Sequence, residues 1–240
     1  MRILLILGFF SEILGTIAGF GSSSIFLPLS LFFIDFQTAL IVTAIYHIFG
    51  NASRLGLFFR HINIRILILF GLPSIVLTVL GASLADTVNT DLLKTILGGV
   101  LTLFACYALL KPTFTFGNHP LVGILGGAAS GFSAGLIGTG GVLRGAFLQG
   151  FSLPKEQYIA TIASIALIVD ATRIPLYFGN GFLPPDKLVL IPFLFVVAFL
   201  GSHIGKYIVQ KIPEQLWRRI ILIAIMGMGL MFLIQPLLTN

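Results

Sequence analysis

Asn51-Ala52-Ser53-Arg54-Leu55-Gly56-Leu57-Phe58-Phe59 recurs 119 positions later as Asp170-Ala171-Thr172-Arg173-Ile174-Pro175-Leu176-Tyr177-Phe178. Every pair is identical or conservative except Gly56/Pro175, and both of those break helices. The same shift sets Gly8 on Gly127, Gly19 on Gly138, Gly21 on Gly140 and Pro73 on Pro192. A few inserted residues later, Leu92–Ile96 falls on Leu216–Ile220 and Pro112 on Pro236. One offset that aligns dispersed glycines, prolines and an arginine reads as a duplication, with one repeat over residues 1–115 and the second over 116–240.

Around these two segments the chain is apolar almost throughout. Hydrophobic residues make up 57% and charged residues only 9%, too few to cover a water-exposed surface, for which about 25% is usual. Eight runs are long enough to cross a hydrocarbon core: Ile3–Ile34, Gln37–Phe59, Ile64–Ala85, Leu92–Leu110, Pro120–Leu148, Gln157–Phe178, Leu188–Ile208 and Leu216–Leu237. The predicted fold is therefore an all-α, polytopic membrane protein of two homologous four-segment repeats. Met1-Arg2 followed by Ile3–Phe10 has the shape of a signal peptide, but Glu12 follows without a small-x-small cleavage pattern. The counterpart of this stretch deep in the chain makes it a membrane segment instead. Cys106, the single cysteine, excludes an intrachain disulfide and a cysteine-based metal site, and its apolar run predicts a small core residue.

In each half the first run is too long for one span and holds a cluster of glycine and hydroxyl residues near its middle: Gly19-Phe20-Gly21-Ser22-Ser23-Ser24 and Gly138-Thr139-Gly140-Gly141. Glycine is poorly helical, so each run is expected to break into two half-helices. Irregular backbone at membrane depth survives only inside protein or along a watery cavity. The half-helix N-termini there present free N–H groups and the positive end of a dipole, which suits an anion. Gly21, Ser22, Ser23, Thr139, Gly140 and Gly141 are accordingly candidate substrate contacts. Gly123, Gly127 and Gly131, at four-residue spacing, read as a helix-packing stripe.

Arg54 and Arg173 lie inside the second run of each half. A charge there costs at least about 2.5–3.5 kcal/mol on insertion scales, so each needs a partner, a cavity or the membrane interface. Snorkelling is one reading, since Arg54 lies close to Arg60. Occurrence in both repeats favours the other, substrate binding by guanidinium forks that match sulfonate, carboxylate or phosphate oxygens. Asp170, three residues before Arg173, is placed to neutralise that arginine or to carry a coupling proton. Its counterpart Asn51 cannot, so the two half-sites differ. Arg144 has no partner in the first half, where Ile25 stands. It is a candidate to line the substrate path, with Glu12 as its ion-pair partner. His47 and His203 are the other polar residues at membrane depth.

Net charge is +6, but the basic residues lie between apolar runs, where they set topology, and no nucleic-acid motif accompanies them. Eight simple crossings divide them almost evenly. If the first run of each half re-enters instead, Arg60, Arg65, Lys111, Lys155, Lys206, Lys211, Arg218 and Arg219 share one side against Arg2, Lys94 and Lys187. Each half then crosses three times, the repeats are inverted, and the eight basic residues face the cytoplasm.

Three other classes compete with an anion transporter. An intramembrane protease needs Gly-x-Ser-Gly with a histidine, or His-Glu-x-x-His, and neither stands in the chain. A scaffold requires nothing of the arginines. A cation or metal carrier would use depth-placed acids, yet these are only Glu12 and Asp170 against three arginines.

The duplicated layout, the stretch Gly19-Phe20-Gly21-Ser22-Ser23-Ser24-Ile25-Phe26-Leu27-Pro28-Leu29, the stretch Gly138-Thr139-Gly140-Gly141-Val142-Leu143 and the two arginine segments together resemble the sulfite exporter TauE/SafE family of bacterial membrane permeases. The resemblance spans essentially the whole chain. It implies transport of sulfite, a sulfonate or a related organic anion across the inner membrane, with a small anionic solute and the lipid bilayer as partners and no nucleic acid. It leaves open whether protons or Na⁺ are coupled, the direction of transport and the oligomeric state. No cofactor is expected. Two departures stand out: serines replace glycines of the family pattern in the first cluster, and Arg144 stands where that pattern has an apolar residue.

Overall fold

The computed structural model describes residues 2–18, 21–111, 116–209 and 214–239; Gly19, Phe20, Pro112 and Lys211, invoked above, lie outside them. Among the described residues ten α-helices follow one another: α1 Arg2–Ala18, α2 Ser23–Ser30, α3 Phe36–Phe58, α4 Ile64–Leu84, α5 Thr90–Leu110, α6 Pro120–Ile137, α7 Gly141–Gln149, α8 Lys155–Gly179, α9 Leu190–Val209 and α10 Glu214–Thr239. Short 3₁₀ turns at Phe59–His61 and Pro185–Lys187 join α3 to α4 and α8 to α9. Eight apolar runs become ten helices because the first run of each half divides at its glycine cluster. Among the described residues, α4, α5, α6, α8 and α9 are long and apolar enough to cross a membrane.

Helix starts follow local chemistry. Asp35 caps α3 by accepting from Thr38 N–H at 2.9 Å, Asn63 caps α4 from Ile66 N–H at 3.1 Å, and Asn89 caps α5 from two amides. Pro120, at the first position of α6, needs no amide partner. The breaks are made by glycine in left-handed backbone, Gly21 at φ 93° before α2 and Gly138 at φ 76° after α6, a region that L side chains avoid.

Both short helices fold back along the helix before them. Ser22 lies against Gly15 and Phe26 beside Gly8, so α2 descends along α1. Gly140 rests on Ser130 and Ala134, Phe147 on Gly126, Phe151 on Gly123 and Gly150 on Gly117, so α7 returns along α6. Each hairpin thus ends at the end of the bundle where it began.

The two halves interlock. α1 runs parallel to α9, with Gly8 beside Val197, Gly201 against Glu12 and Gly205 against Thr16. α6 runs parallel to α4, with Gly127 on the Phe70 carbonyl, Gly131 on Ser74 and Gly135 on Thr78. Ser74 Oγ donates to the Gly127 carbonyl at 2.9 Å and Thr78 Oγ1 to that of Gly131 at 3.1 Å. The glycine stripe therefore brings two backbones together, the small-residue packing used where water supplies no driving force. α3 and α8 cross at the centre in opposite directions: His47 meets Asp170, and further along Asn63 N–H meets Thr161 Oγ1 at 3.0 Å.

Leu27, Leu40, Ile41, Leu93, Leu97 and Leu101 are fully buried in the main core. Leu72, Val76, Leu103, Phe193 and Leu200 are exposed on the outside, the inverse of a water-soluble surface. Cys106 shares that outer face and is exposed, contrary to its expected place in the core. α5 packs mainly on α10, so the side of α5 that bears Cys106 has no protein over it.

Candidate functional site

The tips of the two hairpins meet. Ser24 Oγ, in the first turn of α2, lies 2.8 Å from Thr139 Oγ1, between α6 and α7. Ser133 Oγ fixes that turn by donating to the Thr139 carbonyl at 2.5 Å. Ser22, Ser23, Ser24 and Thr139 are buried, and Gly140 and Gly141 with them. Neither α2 nor α7 has a side-chain cap, so their first N–H groups lack both an intrahelical and a side-chain partner. The two glycine and hydroxyl clusters therefore share one buried centre.

On one side of this centre stands Glu12 of α1, fully buried. Its carboxylate accepts from Ser22 Oγ at 2.6 Å, Ser202 Oγ of α9 at 2.9 Å and Arg54 Nη2 of α3. Arg54 also donates to Asn51 Oδ1 at 2.9 Å and to Thr16 Oγ1 at 3.2 Å. Arg54 is thus buried and paired, not snorkelling. The expected Glu12–Arg144 pair is replaced by Glu12–Arg54, because α1 packs beside α3 and α9 while Arg144 belongs to the other hairpin.

On the other side Asp170 and Arg173 of α8 pair as their spacing predicts. Arg173 reaches Asp170 Oδ1 through Nε at 2.9 Å and Nη2 at 2.7 Å. Its Nη1 donates to the Ala134 carbonyl at 2.6 Å, at the end of α6. Tyr177 O–H supports the same turn by bonding the Gly135 carbonyl. The second oxygen of Asp170 is held at 2.8 Å by His47 Nδ1, across the α3–α8 crossing.

Three arginines and two carboxylates are buried among the described residues. Two of each are consumed in the pairs just named. Arg144 in α7 is 3% exposed, its Nε has no hydrogen-bond partner, and among the described residues no ion pair reaches it. It lies within the electrostatic reach of Asp170 and Arg173. One positive charge is therefore left over beside the uncapped start of α7. His47 Nε2 is also buried and unpartnered, the other ring or guanidinium nitrogen so placed among the described residues. His203 takes no part: it lies on the outer side of α9, its ring 4.2 Å from that of Phe199.

His47 and Ser202 were not singled out as site residues by the sequence. For His47 the signal was present: with Asn51 and Arg54 it makes a polar stripe at i, i+4 and i+7, one face of one helix. Nothing in the sequence marks Ser202.

Among the described residues, ten helices, an apolar exterior and a buried, partly charged centre formed by two facing helix breaks define a multi-pass membrane protein. The chain belongs to the sulfite exporter TauE/SafE family, whose family model matches residues 4–232. Members of that family are transporters and not enzymes, and the family implies an anionic substrate. Comparison with curated proteins and with solved structures returned no match.

Proposed function

We propose that the protein carries a small anion, such as sulfite, a sulfonate or a related organic anion, across the plasma membrane by alternating access between two inverted halves, 1–115 and 116–240. The observation that carries this reading is Arg144, a buried cation with no ion pair among the described residues, beside open helix N-termini. A buried unpaired charge is expensive, and a bound anion removes the expense. Gly140, Gly141 and Thr139 supply donors on the same side, and Gly21, Ser22 and Ser23 on the other. Arg54 with Asn51, and Arg173 with Asp170, flank the site and exchange partners as the halves rock. Helix order and direction support the inverted layout: each half runs hairpin, polar helix and two further helices, and α3 opposes α8.

A cation carrier is disfavoured because both buried acids are already bound by arginine donors. The test is flux in proteoliposomes, with a panel of sulfite, methanesulfonate, acetate and divalent metal cations. Saturable movement of sulfite or methanesulfonate and of no cation is expected; movement of cations alone overturns the reading.

The folded-back hairpins bring Arg60, Arg65, Lys111, Lys155, Lys206, Arg218 and Arg219 to one end of the bundle. Arg2, Lys94 and Lys187 lie at the other, with Asp35, Asp86, Asp91 and Asp186. That asymmetry places the basic end in the cytoplasm and both termini outside. With Cys106 replaced by alanine, a cysteine at Asp86 should react with an impermeant maleimide on intact cells and one at Arg60 should not. The opposite pattern reverses the topology.

A further inference from the structure

His47 sits where α3 crosses α8, and its two ring nitrogens face different halves of the protein. Nδ1 is 2.8 Å from Asp170 Oδ2, while Arg173 holds the other oxygen of that carboxylate at 2.7 and 2.9 Å. A carboxylate held this way only accepts, so Nδ1 carries hydrogen and the neutral ring keeps its lone pair on Nε2. Nε2 is buried without a partner and points at the left-handed turn before α2: a Cβ on Gly21 would stand 2.8 Å from it. Asp170 and Arg173 face the ring from α8, and Arg144, from α7, shares the field of that same carboxylate. The Glu12–Arg54 pair lies further along α3, with its acid on α1. The first turn of α2 brings only serines, and His203 and Lys206 of α9 lie outside, beside Phe199 and Phe58.

We propose that His47 binds the proton that accompanies the anion, taking it at Nε2 from water on the open side and returning it to water on the other. The inference rests on the anion reading above. Without an anion, the neighbours Arg144, Arg173 and Asp170 sum to one positive charge. A bound anion cancels that charge, and protonation in turn converts Nε2 from an acceptor, which repels an anionic oxygen, into a donor that holds it. The two ligands therefore favour each other reciprocally. Because the anion prefers the protonated form, affinity rises as pH falls, by up to about tenfold per pH unit for one proton. Imidazole is the side chain that ordinarily changes charge between pH 5 and 8.

The experiment measures binding and flux of sulfite and methanesulfonate from pH 5 to 8 on the purified full chain. Proton uptake is counted in weak buffer against a matched Arg144→Gln sample, so that titration of the free anion cancels. The unaltered protein should take up about one proton per anion at the alkaline end of the range. His47→Gln, whose amide can still donate to Asp170, should lower flux at acidic pH to its alkaline level and so lose the pH dependence. PH dependence unchanged in His47→Gln overturns the proposal. So does binding without proton uptake by the unaltered protein, a result that stands whether or not the variant inserts. Absence of binding by either anion at every pH overturns the anion reading itself, and this one with it.

Discussion

Arg144→Gln abolishes anion flux and makes the anion-free protein more stable. The two effects have one origin. Arg144 is buried with its Nε unpartnered and no ion pair among the described residues, so in the empty protein it costs stability, and removing its charge should return about 1–3 kcal/mol. Flux should fall by about 100-fold or more, the scale of losing a charge-assisted contact of about 3 kcal/mol. Flux in proteoliposomes and thermal unfolding in anion-free detergent read the two halves of the prediction separately. Lower stability with normal flux would assign Arg144 to the framework, and unaltered flux at unaltered stability would remove it from the site. A scaffold that transports nothing has no flux to lose.

Glu12→Ala should be the most damaging single substitution in the bundle. It removes the acceptor shared by Arg54, Ser22 and Ser202 and leaves Arg54 buried with only Asn51 and Thr16. Breaking a buried pair from one side costs about 3–5 kcal/mol, a large part of the net stability of most proteins, so little folded protein should accumulate. Arg54→Ala should cost less, because Glu12 keeps its hydroxyl donors. The double change Glu12→Gln with Arg54→Met, which removes both charges and keeps volume, should recover most of the loss, as read by membrane accumulation and unfolding temperature. A double variant as unstable as the two single losses combined would show that the pair does not act as a unit.

The order of segments and the two breaks could be read directly, because glycine and apolar length act locally. Asp170 and Arg173 were legible for the same reason, being three residues apart on one helix. Arg54 stood out as a charge at membrane depth, with snorkelling and substrate binding both open, but its partner did not, because Glu12 lies on another helix and only the packing of α1 beside α3 brings them together. Arg144 also drew attention from sequence. What marks it most, the lack of an ion pair among the described residues, becomes visible only when the other buried charges have been paired. Cys106 was misplaced because an apolar run in a membrane has no water-facing side by which to tell core from exterior.

Interlocking of the two halves also shapes how the chain must be made. α1 finds its neighbour α9 only after residue 190 has emerged, roughly ten seconds or more later at ordinary synthesis rates of about 5–20 residues per second. Through that interval the first hairpin waits in the bilayer with the face of α1 that will meet Gly201 and Gly205 uncovered. Glu12 and Arg54, both already synthesised, can neutralise each other during the wait, which spares the nascent chain a bare acid in lipid before its last contacts arrive.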